Sequence, residues 1–293
     1  MKIAILGAIN SWEKEQWEKA ASKLGHELDI VRMKNVLIEI DPKEGVKVSA
    51  IFKKNKKDFA DYDVILRRWI KKYYTQSLLL CWYLKRKNKV IINSHLERIH
   101  DKVTQILKFN LAGLPHPRTF QVLRPKIAKR ILKQVRYPVV LKKIEGSLGQ
   151  QVFLAKSRSQ ALEILKEHEM QNVIIQDFLP AREDYRVFVI GKAVLGAMKR
   201  IAPPGDFRSN VARGANTLRA VLTSQMKKLA LRAAHELGYE IAGVDIMYYQ
   251  GKPYILEINR TPQFKGFTKT MKISVTEEII KYLEKKYKAR RHQ

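Results

Sequence analysis

Cysteine is nearly absent from this chain: Cys81 is the only one in 293 residues. An internal disulfide framework is therefore excluded. A lone thiol in an apolar stretch belongs in a core more often than at a reaction centre. Long apolar runs are missing too. The longest, Ser77 to Leu84, falls far short of the roughly 20 residues a membrane span needs, and reads as part of a buried helix. The N-terminus, Met1-Lys2-Ile3-Ala4-Ile5-Leu6-Gly7, reads as a strand and a turn. It lacks the apolar core and small-residue cleavage site of a signal peptide. These absences make a cytoplasmic protein with no membrane partner the expectation. Only Gly7 follows the first strand, so the Gly-x-Gly-x-x-Gly of a dinucleotide fold is lacking. The seven histidines are scattered, and no Cys/His zinc pattern exists.

Acidic residues are scarce as well: 28 against 57 basic ones, a net charge of +29. The basic residues gather in patches at Lys53–Lys57, Arg67–Lys72, Lys85–Lys89, Arg124–Arg136 and Lys285–Arg291. A field of this sign attracts polyanions: nucleic acid, nucleotide phosphates or an acidic polypeptide. The bland alternative is a lysine-rich, solvated surface. Apolar residues make up 45%, enough for sizeable cores, and the length suggests about two domains, with three small ones as the alternative.

The first segment alternates strand and helix. Lys2 to Leu6 reads as a strand. Asn10 and Glu13 form a capping box opening a helix that Gly25 ends. Glu27 to Arg32, Asp63 to Leu66 and Val90 to Asn93 are further strands, which implies a small parallel α/β domain. Past residue 94 the strands come as antiparallel neighbours. A helix over Lys102–Leu111 leads to strands at 118–122, 138–143, 151–155 and 172–178, with a helix at 159–170 before the last. A hairpin follows at 185–200. Thr223 caps a long helix, a second hairpin spans 241–259, and an amphipathic helix closes the chain over 274–286.

The second hairpin carries the clearest chemistry. Glu257 and Asn259 leave the same strand face. A three-residue loop, Gln250-Gly251-Lys252, would set Asp245 directly opposite Glu257 on that face; a two-residue loop would pair Asp245 with Leu256. Two carboxylates and an amide oxygen at one spot suit magnesium or manganese. They lie among Val244, Ile246, Ile255, Leu256 and Ile258, where unpaired charge is costly. Gly146-Ser147-Leu148-Gly149 follows the strand that carries Lys142 and returns into a strand. A P-loop would run into a helix, so the loop reads either as a glycine-rich flap over phosphate or as a plain hairpin turn. Lys199-Arg200 and Phe207-Arg208-Ser209-Asn210, just after Asp184 and Arg186, are either cations and an amide suited to phosphate or carboxylate or part of the general positive surface.

From about Ile91 onward the chain resembles the ATP-grasp fold, specifically the RimK-type α-L-glutamate ligases. The resemblance rests on Val139-Val140-Leu141-Lys142-Lys143-Ile144-Glu145-Gly146-Ser147, Gln176-Asp177-Phe178, Asp184-Tyr185-Arg186, Met198-Lys199-Arg200, Phe207-Arg208-Ser209-Asn210, Ala242-Gly243-Val244-Asp245 and Glu257-Ile258-Asn259-Arg260-Thr261-Pro262, in the family's order. It implies an α/β plus α+β protein: a Rossmann-like pre-ATP-grasp domain (1–93), a central ATP-grasp subdomain with the flap (94–180), and a C-terminal subdomain with the metal site and basic tail (181–293). By the same resemblance Lys102 and Lys142 touch ATP phosphates, with Gly146, Ser147 and Gly149 above them. Gln176, Asp177 and Phe178 belong to the adenine linker, and Asp184 lies near the ribose. Arg186, Lys199, Arg208, Ser209 and Asn210 line the triphosphate. Arg208, Lys142 and Asn210 serve the chemistry, and Asp245, Glu257 and Asn259 hold magnesium or manganese, two ions being expected. Departures are Asp177 where the family has Glu, Gln150-Gln151 after the flap, and Arg260-Thr261-Pro262-Gln263-Phe264 where Ser-Pro-Gly is usual after the final Asn-x.

The implied function is an ATP- and magnesium-dependent carboxylate–amine ligase. It adds glutamate or a similar amino acid to an acidic protein, peptide or coenzyme. Two other readings compete: a ligase acting on a different peptide or amino-acid carrier protein, and an RNA- or ribosome-binding protein with a silent ATP-grasp fold. The family also tends to self-associate, which makes a homo-oligomer an expectation.

Overall fold

The computed structural model describes residues 1–70, 72–94, 101–143, 151–209 and 214–291. The chain opens with β1 (Lys2–Gly7), α1 (Ser11–Lys23) and β2 (Glu27–Val31). Asn10 caps α1 by accepting from the Glu13 N–H at 2.8 Å. The reciprocal half of the capping box is not made. The Glu13 carboxylate instead accepts from Arg68 Nε at 2.6 Å, and both residues are buried. Next come β3 (Val36–Asp41), β4 (Gly45–Ile51) and β5 (Lys56–Asp58), a three-stranded antiparallel sheet absent from the sequence-based expectation. Then β6 (Val64–Arg68), α2 (Tyr74–Arg86) and β7 (Val90–Ile92) complete a parallel sheet in the order β2-β1-β6-β7. Cys81 is fully buried on α2, and burial pushes its thiol up to about 11.

Helix α3 (Lys102–Leu111) is capped by Asp101, which accepts from the Val103 and Thr104 N–H groups. It precedes β8 (Thr119–Val122), α4 (Pro125–Ile131), β9 (Val139–Lys143), β10 (Val152–Ala155), α5 (Arg158–Glu167) and β11 (Val173–Asp177). Their strands form an antiparallel sheet ordered β10-β9-β11-β8, with α4 and α5 packed on one face. The other large sheet is β14-β13-β12-β15-β16. It is made of β12 (Glu183–Ile190), β13 (Ala193–Ile201), β14 (Asn216–Ala220), β15 (Ile241–Tyr249) and β16 (Lys252–Asn259). Helix α6 (Ser224–Glu236), capped by Thr223, covers one face over Val187, Val189, Ala197 and Val244. Helices α7 (Lys265–Met271) and α8 (Val275–Arg291) join Phe188 and Met198 on the other face, where α1, β1 and β6 complete one shared core.

The hairpin register corrects the expected turn. Tyr249 pairs with Lys252, so the loop is the two residues Gln250 and Gly251, both left-handed at φ 50° and 74°. That loop matches strand twist and is the usual short hairpin connection. Asp245 nevertheless faces Glu257, because a bulge between Asp245 and Ile246 lets the partner strand spend Leu256 as an extra residue. The geometry at the carboxylates is the expected one; its cause is a bulge, which commonly re-aims side chains beside functional sites.

Candidate active site in the cleft between two sheets

Cross-strand partners share a sheet face, and here four strands put charges on one face. Asp184 lies opposite Arg200, Arg186 opposite Asp245, and Asp245 opposite Glu257. The Asp245 carboxylate accepts from Arg186 Nε and Nη2, both at 2.7 Å, and lies 2.9 Å from Arg200 Nη2. Arg200 in turn donates to both oxygens of Asp184 at 2.6 and 2.7 Å, and Ser209 Oγ donates to the same carboxylate at 2.5 Å. Burial alone would raise the Asp245 carboxyl, but Arg186 and Arg200 outweigh it and hold the group below its usual range. Buried charges persist only when paired in this way. Asn259 Nδ2 donates to Glu257 Oε1 at 3.1 Å, and Asp245, Glu257 and Asn259 all line the same cavity.

Two lysines come to this face from the opposing sheet and from α3. Lys142 donates to Gln176 Oε1 at 2.6 Å, and Gln176 Nε2 donates to Thr119 at 2.8 Å, so a buried amide holds the ammonium in place. Burial, opposed by the Glu257 carboxylate and assisted by Lys102, lowers Lys142 to about 8. Lys102, in the first turn of α3, donates to the Lys143 carbonyl at 3.1 Å. Burial lowers its ammonium as well, with Glu257 opposing. Helix α3 is tied to the carboxylate strand, because Gln105 Oε1 accepts from the Ile258 N–H at 3.0 Å.

These groups line one cavity of about 740 Å³, together with Asp177, Phe178, Arg208 and Ser209. Phe178 meets Phe207 edge-on, with centroids 6.0 Å apart. Arg208 bonds both oxygens of Asp206 and also donates to the Val152 carbonyl at 3.1 Å, linking its loop to β10. Asp184 is a buried anchor for Arg200 and Ser209. Lys199 is not brought to this face. It alternates away from Arg200, pairs across to Tyr185, and forms an ion pair with Glu183 at 2.5 Å. Arg200 takes the inward place, and strand alternation around Asp184 and Arg186 was the signal for it. Gly146, Ser147, Gly149 and Asn210 lie outside the described residues. Sequence reasoning missed the N-terminal side of the cavity, where Trp12 and Glu13 belong to the wall. It also counted Arg67 and Arg68 in a basic patch that attracts polyanions; both are buried, at 4% and 2% exposure.

The family model for the RimK-like ATP-grasp domain matches residues 99–283. A probable alpha-L-glutamate ligase of Haemophilus influenzae (strain PittEE) is 28% identical over 280 residues, covering 92% of this chain and 94% of that one. A probable alpha-L-glutamate ligase of Legionella pneumophila (strain Corby) is 35% identical over 198 residues, 66% of each chain. Among solved structures, the ATP-grasp ligase PsnB complexed with minimal precursor, Mg and ADP aligns at TM-score 0.77 and 16% identity over 97% of both chains. The D-alanine–D-alanine ligase of Bacillus anthracis aligns at TM-score 0.68 and 15% identity, covering 100% of this chain and 99% of that one. The chain belongs to the RimK-like ATP-grasp family and is an ATP-grasp ligase that forms carbon–nitrogen bonds.

Proposed function

We propose that this ligase joins glutamate, or a similar amino acid, to an acidic protein, peptide or coenzyme at the expense of ATP. The observation that carries the reading is the meeting of Lys102 and Lys142 with Asp245, Glu257 and Asn259 in one cavity. A triphosphate needs cations from one side and a metal-binding oxygen set from the other. The glutamate ligase relatives and the precursor-bound PsnB support acidic and peptidic substrates.

The donor set fits a hard divalent cation: magnesium, with manganese as the alternative and two ions expected. Glu257 has a carboxylate oxygen beyond its bond from Asn259. Asp245 already takes three donors of the roughly four lone-pair sites a carboxylate offers. Glu257 and Asn259 would thus be the readier ligands, with Asp245 offering its remaining lone-pair site. A metal bound there would neutralise phosphate charge and hold the triphosphate for in-line displacement. The acceptor carboxylate oxygen attacks the γ-phosphorus, forming an acyl phosphate and releasing ADP. The amine nitrogen then attacks the acyl carbon, its proton is lost, and inorganic phosphate leaves. Lys142, Arg208 and Asn210 counter the charge on the transferred group, and Phe178 walls the nucleotide. The flap residues Gly146, Ser147 and Gly149 belong over the phosphates. The basic surface provides capture of an acidic acceptor.

Incubating the protein with ATP, magnesium, L-glutamate and N-acetyl-tetraglutamate, and reading ADP release with peptide mass, tests the proposal. The expected product is peptide heavier by one or more glutamyl residues, and Glu257→Ala abolishes both signals while circular dichroism stays unchanged. Wild-type-like turnover in that variant would remove Glu257 from the metal site.

A further inference from the structure

A second cavity, of about 150 Å³, shares Trp69 and Thr261 with the wall of the large cleft. Its floor is unusual. Arg67, at the carboxyl end of β6, is 4% exposed, and its Nη1 is buried without a hydrogen-bond partner. Its guanidinium carbon stands 4.6 Å from the Tyr74 ring centroid. Arg260, directly after β16, stands 4.7 Å from the same ring and donates to the Tyr74 hydroxyl at 2.8 Å. Among the described residues, no carboxylate forms an ion pair with either arginine. The adjacent Arg68, by contrast, is neutralised by Glu13 at 2.6 Å.

Two guanidiniums around one neutral ring repel each other, and a buried cation without a counter-charge is costly. An anion in the cavity relieves both effects. The planar fork of arginine suits a carboxylate in particular. The cavity is sized for one small acidic group. Its place is the carboxyl end of a parallel strand, the edge at which open α/β sheets take ligands. Asn93 also fixes the distance between its two walls. Its Nδ2 donates to the Arg260 carbonyl at 2.7 Å and to the Ile241 carbonyl at 3.0 Å, while its Oδ1 accepts from the Glu240 and Ile241 N–H groups.

We propose that the Arg67–Arg260 cavity is a carboxylate-binding subsite beside the ATP cleft, holding a non-reacting carboxylate of the acidic substrate. This rests on the ligase reading above and adds to it where the substrate is gripped. The carboxylate belongs either to the incoming amino acid or to an acidic residue of the acceptor, and the two sources separate in a binding experiment.

Calorimetric titrations of the full-length protein with L-glutamate, L-glutamine and N-acetyl-tetraglutamate would be compared for wild type, Arg260→Gln and Arg67→Gln. Expected is a loss of about tenfold or more for an acidic ligand in both variants, with AMPPNP affinity within about twofold of wild type. Loss confined to L-glutamate assigns the incoming amino acid; loss confined to the tetraglutamate assigns the acceptor. Arg260 is partly exposed, so Arg260→Gln decides alone if Arg67→Gln does not fold. Unaltered binding of both acidic ligands by folded Arg260→Gln, or no binding of either by wild type, overturns the subsite. The readout needs no turnover. Arginine-dependent binding without glutamate ligation leaves the subsite standing and removes the glutamate reading; ligation with arginine-independent binding does the reverse.

Discussion

Lys142 bears a cost in the folded protein. Its ammonium is withdrawn from water, beside Lys102, with one hydrogen bond to Gln176. Its folded pKa of about 8 lies below that of an unfolded lysine. Between those two values the unfolded chain holds a proton that the folded one has lost. This group therefore makes stability rise with pH above about 8, and below 8 it imposes a constant penalty. Allowing for its access to the cavity, that penalty is about 2 kcal/mol. Lys142→Met is thus expected to raise the urea midpoint at pH 7, to flatten its rise toward pH 10, and to lose ATP affinity. A lower midpoint with the pH dependence kept would show that the lysine stabilises the free protein. Gly7 presents the opposite case. At φ 153° an ideal Cβ would sit 1.5 Å from the Arg68 carbonyl oxygen, a clash of backbone with no flexible partner to yield. Gly7→Ala should cost more than about 3 kcal/mol in chemical denaturation. A smaller loss would mean that β1 and β6 separate more easily than their pairing suggests.

At the scale of elements, the β15–β16 hairpin shows what periodicity can reveal. That Asp245, Glu257 and Asn259 share a face was legible from strand alternation and from the cost of charge in an apolar strand. That the alignment comes from a bulge at Leu256 was not, because an odd loop and a bulge produce the same pairing. The half-made capping box has a similar cause. The Asn10 cap is local and readable, whereas Glu13 is claimed by Arg68, 55 residues away. Lys199 was misplaced for want of alternation: its neighbour Arg200 faces Asp184 and Asp245, so Lys199 has to face away. Strand β3 is largely exposed and β5 is only three residues long, which leaves little pattern to read around the buried centre of β4. The hairpin also predicts a stabilising change. Gln250 holds φ 50°, a conformation that costs most side chains about 1–2 kcal/mol and asparagine less. Gln250→Asn should therefore raise the melting temperature by a few degrees without altering turnover, measured by calorimetry alongside ADP release. A lower melting temperature would show that the Gln250 side chain, which donates to Tyr249 Oη at 3.3 Å, is worth more than the strain it carries.

Across the whole molecule the charge separates into two populations. Arg67, Arg68, Arg186, Arg200, Lys102 and Lys142 line the two cavities, where burial shields them from salt. The rest of the +29 lies mostly on the surface, as on α8, where Lys281 and Lys288 are largely exposed even though each meets a glutamate. Surface charge of this kind steers long-range encounter, and its reach shrinks with the Debye length. An acidic acceptor approaching from solvent feels it, while a single amino acid feels much less. Raising potassium chloride from about 50 to 200 mM should therefore lower kcat/KM for N-acetyl-tetraglutamate by about tenfold, leaving the KM for L-glutamate within about twofold. If both constants stay flat, the basic excess is solvated surface with no part in capture. If structured RNA competes with the peptide and binds with a steep salt slope but leaves ATP turnover intact, the same surface serves nucleic acid.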